Sequence, residues 1–187
     1  MDKSELRAFA LARRDGTSPQ WRARQSNRLA SHVDALLLAP GRAVSGFFPI
    51  RSEIDLRPLM TALHQRDVPL CLPAVLDRET IVFRRFTPGM PLVDTGFGTS
   101  GPGRQAEEVD PETMLVPLAA FDDLGNRIGY GAGHYDRAIA RLSGMGKRPQ
   151  LIGCAFACQR VERIPAEQHD VPLDSVLTED GLRGFAR

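Results

Sequence analysis

The residues best suited to chemistry lie in one short segment, GYGAGHYDR at residues 129–137. Three alternating glycines precede a sequence of helical character that runs to Leu142. Glycine lets a backbone approach a ligand closely, and the free amides at a helix N-terminus favour an anion. The segment therefore suits a phosphate, with Asp136 and Arg137 available for a cation and a second anion contact. The alternative is an ordinary glycine-rich turn in which Asp136 only complements the helix dipole.

The glycine spacing, G-x-G-x-G, differs from the common nucleotide-binding and nucleophile motifs. It lacks the G-K-[ST] of a P-loop, and no acidic residue follows at the ribose-binding distance of a dinucleotide fingerprint. The G-x-S-x-G nucleophile elbow is absent as well. By itself, the segment indicates a phosphate site only in general terms.

Lysine usage singles out a second candidate. Of the 24 basic residues only Lys3 and Lys147 are lysines, and all the others are arginines. A compact ammonium on a flexible stem differs from a planar guanidinium, so Lys3 is a candidate for a point-charge contact to phosphate. Chance is the alternative explanation.

Composition favours one soluble globular domain over residues 1–187, with 42% hydrophobic and 25% charged residues. The net charge of +1 argues against nucleic acid or a membrane surface as partner. No apolar run approaches the roughly 20 residues of a transmembrane helix, and the N-terminus is polar. Cys71, Cys154 and Cys158 look like buried thiols of a reducing compartment. We expect a cytoplasmic monomer that acts on small molecules.

The elements that must position these residues alternate between helix and strand. Ser18 and Pro19 form a helix start signal. The predicted helices cover residues 2–14, 19–38, 55–65 and the segment through Leu142. The predicted strands cover residues 43–48, 69–72, 80–86, 114–118, 151–156, 175–178 and an edge piece at 181–185. Residues 87–110, rich in Gly and Pro, are predicted to form a long loop.

This alternation predicts an α/β fold, a three-layer sandwich with a largely parallel central sheet covered by helices on both faces. In such sheets ligands bind beyond the carboxyl ends of the strands, where Phe48, Phe121 and the glycine loop should lie. The second helix is expected to bury the face formed by Trp21, Leu29, Val33, Leu36 and Leu37.

Several separated motifs together resemble one known family. Val116-Pro117, Phe121-Asp122, Gly125 and RIGYGAGHYD at 127–136 match the signature V-P-x-x-x-F-D-x-x-G-x-R-[LI]-G-x-G-x-G-x-Y-D of the 5-formyltetrahydrofolate cyclo-ligases. The resemblance extends along the chain, through KSELR at 3–7, Phe48-Pro49 followed by Glu53-Ile54-Asp55, and the C-terminal Pro165, Glu167, His169-Asp170 and Leu177-Thr178-Glu179.

The resemblance implies an α/β sandwich and a reaction in which ATP and 5-formyltetrahydrofolate give 5,10-methenyltetrahydrofolate, ADP and phosphate, with Mg²⁺. Transfer of the γ-phosphoryl group onto the formyl oxygen would make an imidoyl phosphate, from which N10 expels phosphate. Catalysis of such a transfer is mainly positioning plus charge neutralisation.

Matched positions imply the site residues. ATP would be held by Lys3, Arg7, Arg127, Ile128, Gly129, Tyr130, Gly131, Ala132, Gly133, His134 and Tyr135, with Arg127 stabilising charge on the migrating phosphoryl group. Mg²⁺ would be held by Asp136 and Asp170, since hard oxygen ligands suit that ion. Glu53 would hydrogen-bond the pterin, and the folate pocket would be lined by Phe48, Tyr130, Ala132 and His134.

Each of these residues also has a simpler interpretation. Lys3 and Arg7, one helical turn apart, could be solvated; Glu53 could be a helix-start charge, and Asp170 could cap a turn. The chain departs from many members of the family at two positions. His134 stands where they carry tyrosine, and Ala132 replaces a glycine or lysine, so that Arg137 would have to replace a missing cation in part.

Two other functions compete with the cyclo-ligase. One is a non-catalytic folate- or nucleotide-binding relative on the same fold. Such a protein could have lost any of the predicted site residues, whereas this chain has all of them. The other is a metal hydrolase built from His134, Asp136, His169 and Asp170, whose side chains suit a transition metal.

Overall fold

The computed structural model describes residues 1–96, 98–167 and 170–185, a part of the chain with four α-helices and eleven strands. The helices are α1 Lys3–Asp15, α2 Pro19–Ala30, α3 Arg57–His64 and α4 His134–Gly144. The strands are β1 Val44–Ser45, β2 Leu70–Val75, β3 Ile81–Phe86, β4 Val93–Gly96, β5 Thr99–Gly101, β6 Thr113–Pro117, β7 Ala120–Phe121, β8 Arg127–Ile128, β9 Gln150–Cys154, β10 Ser175–Thr178 and β11 Gly181–Gly184. Among the helices so described, none combines the length and the apolar character that crossing a bilayer requires.

The central sheet has seven strands in the order β11-β10-β9-β6-β1-β2-β3. The five inner strands run parallel to one another, whereas β3 and β11 run antiparallel to their neighbours at the two edges. The largely parallel sheet predicted from the alternation of elements is therefore confirmed, and the antiparallel edges follow from the short turns that join β2 to β3 and β10 to β11.

Apolar side chains pack against both faces of this sheet, as a fully covered parallel sheet requires. One cluster joins α2 and α3 to the sheet, with Leu29, Leu59, Leu63, Leu115 and Ile152 among its members. The other joins α4 to the opposite face, with Ile139, Leu142, Met114, Val116 and Leu151. Neighbouring residues of β6 point to opposite clusters, so the layers are helix, sheet and helix, as predicted.

The first helix begins where the sequence encodes a complete cap. The Asp2 carboxylate accepts hydrogen bonds from the backbone amides of Ser4 and Glu5 at 2.7 and 2.9 Å, and the Glu5 carboxylate accepts from the Asp2 amide at 2.8 Å. This reciprocal capping box fixes the start of α1. The predicted start of α2 is confirmed too, because the Ser18 hydroxyl accepts from the Trp21 amide at 3.1 Å.

The expected end of α2 near Leu38 is wrong. The helix ends at Ala30, and a separate 3₁₀ turn covers Val33–Ala35. The Ser31 hydroxyl donates to the Arg28 carbonyl at 2.7 Å, which competes with continuation of the helix. The 3₁₀ turn still buries Val33 and brings Leu36 into the core, but Leu37 is 84% exposed.

The expected loop at 87–110 contains a hairpin, β4–β5. Gly96 and Gly98 have φ of +87° and +74°, which lets the chain reverse direction there. The hydroxyls of Thr95 and Thr99 lie 2.8 Å apart across the turn. The segment predicted as a loop because of its Gly and Pro content therefore contains regular β structure in the hairpin and is irregular only in part.

Candidate active site

The glycine segment forms the wall between β8 and α4. Gly131 and Gly133 have φ of +101° and +68°, which favours glycine at both positions. Gly133 is the N-cap of α4, and no side chain of the described residues caps this helix end. A Cβ atom placed on Gly129 or Gly131 would meet no atom of that described part of the chain within 4 Å. The backbone thus borders open space at a helix N-terminus, the arrangement that binds anions.

A cavity of about 160 Å³, here called the polar cavity, lies on one side of this segment. Its wall carries three cations, two carboxylates, one further residue of β8 and three glycines of the segment, namely Lys3, Arg7, Arg127, Asp136, Asp170, Ile128, Gly129, Gly131 and Gly133. The structure brings together here residues that are up to 167 positions apart in the sequence.

Helix α1 delivers the first two cations. Arg7 Nε donates to the Gly129 carbonyl at 2.9 Å, and Lys3 Nζ lies 2.8 Å from Asp170 Oδ2 and 3.0 Å from Glu167 Oε1. Burial lowers the pKa of Lys3, but its hydrogen bonds to Asp170 and Glu167 outweigh this and raise the pKa above its ordinary value. Both side chains therefore contact the site, and the interpretation that they are simply solvated does not hold.

The third cation, Arg127, is held rigidly. Its side chain is 7% exposed and donates to the Val171 carbonyl and to Asp136 Oδ1. Burial lowers the pKa of Arg127, while the charges of Asp136 and Asp170 oppose that shift. A guanidinium with so high an ordinary pKa remains charged, so Arg127 presents a fixed positive charge.

A second cavity of about 250 Å³, here called the apolar cavity, lies on the other side of the segment. Its wall carries all five residues predicted for the folate, namely Phe48, Glu53, Tyr130, Ala132 and His134, and also Tyr135. It opens at the carboxyl ends of β1, β2 and β6, where the fold predicted a ligand. Four residues line both cavities, namely Arg127, Gly129, Gly133 and Asp136.

Glu53 is a buried carboxylate in this apolar cavity. It is 8% exposed, accepts from the Ile50 amide at 2.8 Å, and lines the cavity together with Tyr130, whose hydroxyl donates to the Leu118 carbonyl at 3.4 Å. Burial raises the pKa of Glu53, although the Ile50 amide and the Tyr130 hydroxyl act in the opposite direction. The interpretation of Glu53 as a helix-start charge is wrong, because α3 begins at Arg57, whose amide donates to Asp55 at 2.9 Å.

Two aromatic residues shape the apolar cavity. Phe48 packs edge to face on Phe86 with ring centroids 5.8 Å apart, and the Arg57 guanidinium lies 5.9 Å from the Phe48 ring. The Tyr135 ring packs against Phe83, and its buried hydroxyl has no hydrogen-bond partner among the described residues. The resemblance assigns Tyr130, Ala132, His134 and Tyr135 to ATP, whereas in the structure none of the four lines the polar cavity and all of them line the apolar cavity. An orphaned donor there is suited to a polar atom of a ligand.

Neighbouring side chains brace the glycine segment. Arg137 Nε donates to the Glu79 carbonyl at 2.6 Å and Arg137 Nη2 to the Ala132 carbonyl at 2.7 Å. His134 Nε2 lies 2.9 Å from the Arg78 carbonyl. Arg137 is thus engaged by backbone carbonyls and lines neither cavity, contrary to the replacement cation suggested by the sequence.

The two carboxylates of the polar cavity fit a hard cation. Asp170 Oδ2 accepts from the Glu167 amide at 2.8 Å as well as from Lys3, so it caps a turn and also faces the site. Asp136 and Asp170 are oxygen donors on the wall of one cavity, which suits Mg²⁺ when phosphates and water complete its shell. Among the described residues no three His, Cys, Asp or Glu side chains come together as metal ligands. His169, invoked for a metal hydrolase, lies outside the described residues.

Sequence reasoning missed parts of the site that depend on tertiary packing. Thr99 and Ser100 of β5 line the apolar cavity, and Glu167 pairs with Lys3. The length of the expected loop was a signal for the first two. Arg14 of α1, which donates to the Tyr130 hydroxyl, stands four residues after the buried Ala10 and eight after the buried Leu6, so helical spacing was a signal that it faces inward, unlike the exposed Arg13.

Comparison with known proteins gives one consistent result. The model of the 5-formyltetrahydrofolate cyclo-ligase family matches residues 1–179. The 5-formyltetrahydrofolate cyclo-ligase of Haemophilus influenzae is 32% identical over 70% of this chain and 72% of its own length, and that of Mycolicibacterium smegmatis is 29% identical over 94% and 93%. The solution structure of Aquifex aeolicus 5,10-methenyltetrahydrofolate synthetase superposes with a TM-score of 0.79 at 31% identity, over all of this chain and 94% of that one.

Proposed function

Because the chain belongs to the 5-formyltetrahydrofolate cyclo-ligase family, we propose that it converts 5-formyltetrahydrofolate into 5,10-methenyltetrahydrofolate with ATP and Mg²⁺, releasing ADP and phosphate. The observation that carries this proposal is the wall shared by the two cavities. Arg127, Gly129, Gly133 and Asp136 line both, so ligands in the two cavities would meet across a few atoms of backbone and one guanidinium.

The polar cavity suits the triphosphate of ATP. Lys3 and Arg7 supply positive charge from α1, and the N-terminus of α4 supplies uncapped amides beside open space. Asp136 and Asp170 would hold Mg²⁺, which neutralises phosphate charge when bound. When ATP binds, Lys3 would exchange its contact with the Asp170 carboxylate for a contact with a phosphate oxygen, so that its charge stays paired with an anion.

The apolar cavity suits the pterin of a reduced folate. Phe48 and Tyr130 offer flat apolar surfaces for a ring system, and Glu53 offers a buried carboxylate for ring N–H donors. The unpartnered Tyr135 hydroxyl adds a polar contact in the same wall. Such a mixture, mostly apolar with a few fixed polar groups, is typical of ligand pockets.

The chemistry follows from the weakness of the formyl oxygen as a leaving group. The γ-phosphoryl group leaves the β-phosphate of ATP as its bond to the formyl oxygen forms, which gives an imidoyl phosphate and ADP. N10 then attacks the formyl carbon, the carbon–oxygen bond breaks, phosphate departs, and loss of the N10 proton leaves the methenyl product. Arg127 neutralises the charge that the phosphoryl group carries between the two sites.

A direct test is turnover by purified protein with 5-formyltetrahydrofolate, ATP and Mg²⁺, followed by the near-ultraviolet absorbance of the methenyl product. We expect product to form only when ATP is present, with one ADP released per product. Tight binding of folate and nucleotide without any turnover would instead identify a non-catalytic binding relative and would contradict the proposal.

A further inference from the structure

Arg14 is a buried charge that belongs to neither cavity. It lies near the C-terminus of α1 and is 2% exposed, although arginine is almost never fully buried unless paired. Its Nε donates to the Ser52 hydroxyl at 2.9 Å, and its Nη1 donates to the Tyr130 hydroxyl. The centre of the guanidinium lies 5.5 Å from the centroid of the Tyr130 ring. The hydrogen bond to the Tyr130 hydroxyl ties Arg14 to a residue of the apolar cavity.

Two carboxylates, Asp15 and Glu53, act on the charge of Arg14. Asp15 lies 3.8 Å from Arg14 Nε, but it is largely exposed and also accepts the Ser52 hydroxyl. Glu53 is a buried carboxylate whose charge interacts with that of Arg14, and the two residues line one small crevice beneath the apolar cavity. The Tyr130 hydroxyl accepts from Arg14 Nη1, and Tyr130 lines the apolar cavity together with Glu53. A buried cation and a buried anion thus both lie next to Tyr130.

The position of Arg14 on α1 ties it to the polar cavity as well. Lys3, Arg7 and Arg14 stand at i, i+4 and i+11, which places them on one stripe of the helix. Arg7 contacts the carbonyl of Gly129, and Arg14 contacts the side chain of the next residue, Tyr130. One rigid helix therefore holds both sides of the glycine segment.

We propose that Arg14 is a positioning residue for the folate, which fixes the Tyr130 hydroxyl and balances the charge of Glu53 from beneath the apolar cavity. It touches neither substrate and acts through these two side chains. This inference rests on the proposed function, in which Glu53 and Tyr130 contact the pterin.

Loss of Arg14 has two expected consequences. The Tyr130 hydroxyl loses a charge-assisted hydrogen bond, and Glu53 loses the cation that favours its ionised form. Among the described residues, the other groups that act on Glu53 are the Ile50 amide and the hydroxyls of Tyr130 and Tyr135, and Arg14 is the cation among them. Arg127, His134 and Asp136 also line the apolar cavity. Folate binding should weaken, whereas ATP binding at Lys3 and Arg7 should not.

The test compares Arg14→Met with Arg14→Lys and with Arg13→Met, its exposed neighbour. We expect Arg14→Met to raise the KM for 5-formyltetrahydrofolate about tenfold or more and to leave the KM for ATP within about twofold. The acid limb of kcat/KM for folate should move to higher pH, because Glu53 then ionises less readily. Arg14→Lys should restore part of the folate KM and return the acid limb, and Arg13→Met should resemble the wild type.

A double-mutant cycle separates positioning from loss of stability. In the Tyr130→Phe background, Arg14→Met should cost less folate affinity than in the wild type, because the Tyr130 hydroxyl is already gone. Equal changes in both KM values, an unmoved acid limb or a strictly additive cycle would overturn the inference.

If Arg14→Met does not fold, Arg14→Lys and Tyr130→Phe provide the test. A normal KM for folate in both of these variants overturns the inference. An active wild type with a normal Arg14→Met variant refutes only this inference, whereas an inactive wild type refutes the proposed function with it.

Discussion

Arg127 carries its charge at the wall that the two cavities share. Its guanidinium is nearly buried and is held by Asp136 and by the Val171 carbonyl, so little reorganisation is needed when charge develops nearby. Fixed charges of this kind act on the transition state more than on the bound substrates.

Arg127→Ala is therefore expected to lower kcat by about 10²- to 10³-fold, with smaller effects on the two KM values. Steady-state turnover at saturating ATP and folate measures this. Arg24→Ala, which removes an exposed arginine of α2, serves as the control and should leave kcat unchanged. Equal kcat values for wild type and Arg127→Ala would remove Arg127 from the chemistry.

Glu53 leads to a prediction about stability and pH. Because burial raises its pKa in the folded protein above its ordinary value, the folded state binds this proton more tightly than the unfolded state does. Its contribution to the free energy of unfolding is most favourable below the ordinary pKa and falls as pH rises through the raised pKa. Glu53→Gln removes this dependence.

Denaturant unfolding at several pH values from about 4 to 8 tests this prediction. The stability of Glu53→Gln relative to the wild type should rise with pH across this range, since every other titrating group is common to both proteins. A difference that stays flat, or that falls with pH, would show that the folded carboxyl is not raised in pKa.

The candidate site residues were recognisable one by one only where the sequence carries a motif. The glycine segment, Lys3, Glu53 and Asp170 were found through spacing and family resemblance, and the structure brings them around two adjoining cavities. Arg14 was not recognised, although its spacing from the buried Leu6 and Ala10 places it on the inner face of α1. Its contact with Tyr130 depends on how α1 packs against the glycine segment, which no local pattern shows.

At the scale of elements, the β7–β8 hairpin positions Arg127, and one carboxylate holds that hairpin. Asp122 is fully buried and accepts from the amides of Leu124, Asn126 and Ile164 at 2.9–3.0 Å, and from the Asn126 side chain at 2.9 Å. Four hydrogen bonds on one carboxylate explain why an acid stands beside Phe121 in the signature.

Asp122→Ala should lower the free energy of unfolding by about 3 kcal/mol, because buried amides lose a charged acceptor. The adjacent Asp123, whose carboxylate pairs with Arg160 and Arg183 at the surface, provides a matched control. Asp123→Ala should leave stability nearly unchanged, since exposed ion pairs contribute little. Urea denaturation of the two variants measures this, and similar stabilities would contradict the role of Asp122.

The glycine segment gives a second prediction at this scale. Gly129 lines both cavities, lies outside the left-handed region, and has open space where a Cβ would stand. Gly129→Ala should therefore fold like the wild type yet raise the KM for ATP about tenfold, because its methyl group occupies space that a ligand needs. Gly144→Ala, equally open at the end of α4, is the control. An unchanged KM in Gly129→Ala would show that no ligand approaches this backbone.

The elements were predictable where local signals were complete and uncertain where they were not. The start of α1 follows from Asp2 and Glu5, which cap each other in the structure. The end of α2 was misplaced, because the apolar periodicity that continues through Val33 and Leu36 is buried by a 3₁₀ turn instead. The spacing of apolar residues indicates which residues face the core, but it does not show whether they lie in an α-helix or in a 3₁₀ turn.

For the whole molecule, the parallel sheet determines where the site can form. Its inner strands end at the same edge, and the residues that follow β1 and end β2 and β6 line the apolar cavity. Helices on both faces leave that edge open to ligands. The layer order was predictable from alternating elements, whereas the contact of α1 with the glycine segment, which closes the site, depends on the complete fold.

The central claim is that a phosphoryl group passes from ATP to the formyl oxygen across the wall shared by the two cavities. The most direct measurement uses 5-formyltetrahydrofolate labelled with ¹⁸O in the formyl group, together with ATP, Mg²⁺ and the purified protein. The account predicts that the released inorganic phosphate carries the label, one ¹⁸O for each methenyl product formed. Methenyl product accompanied by unlabelled phosphate would contradict it.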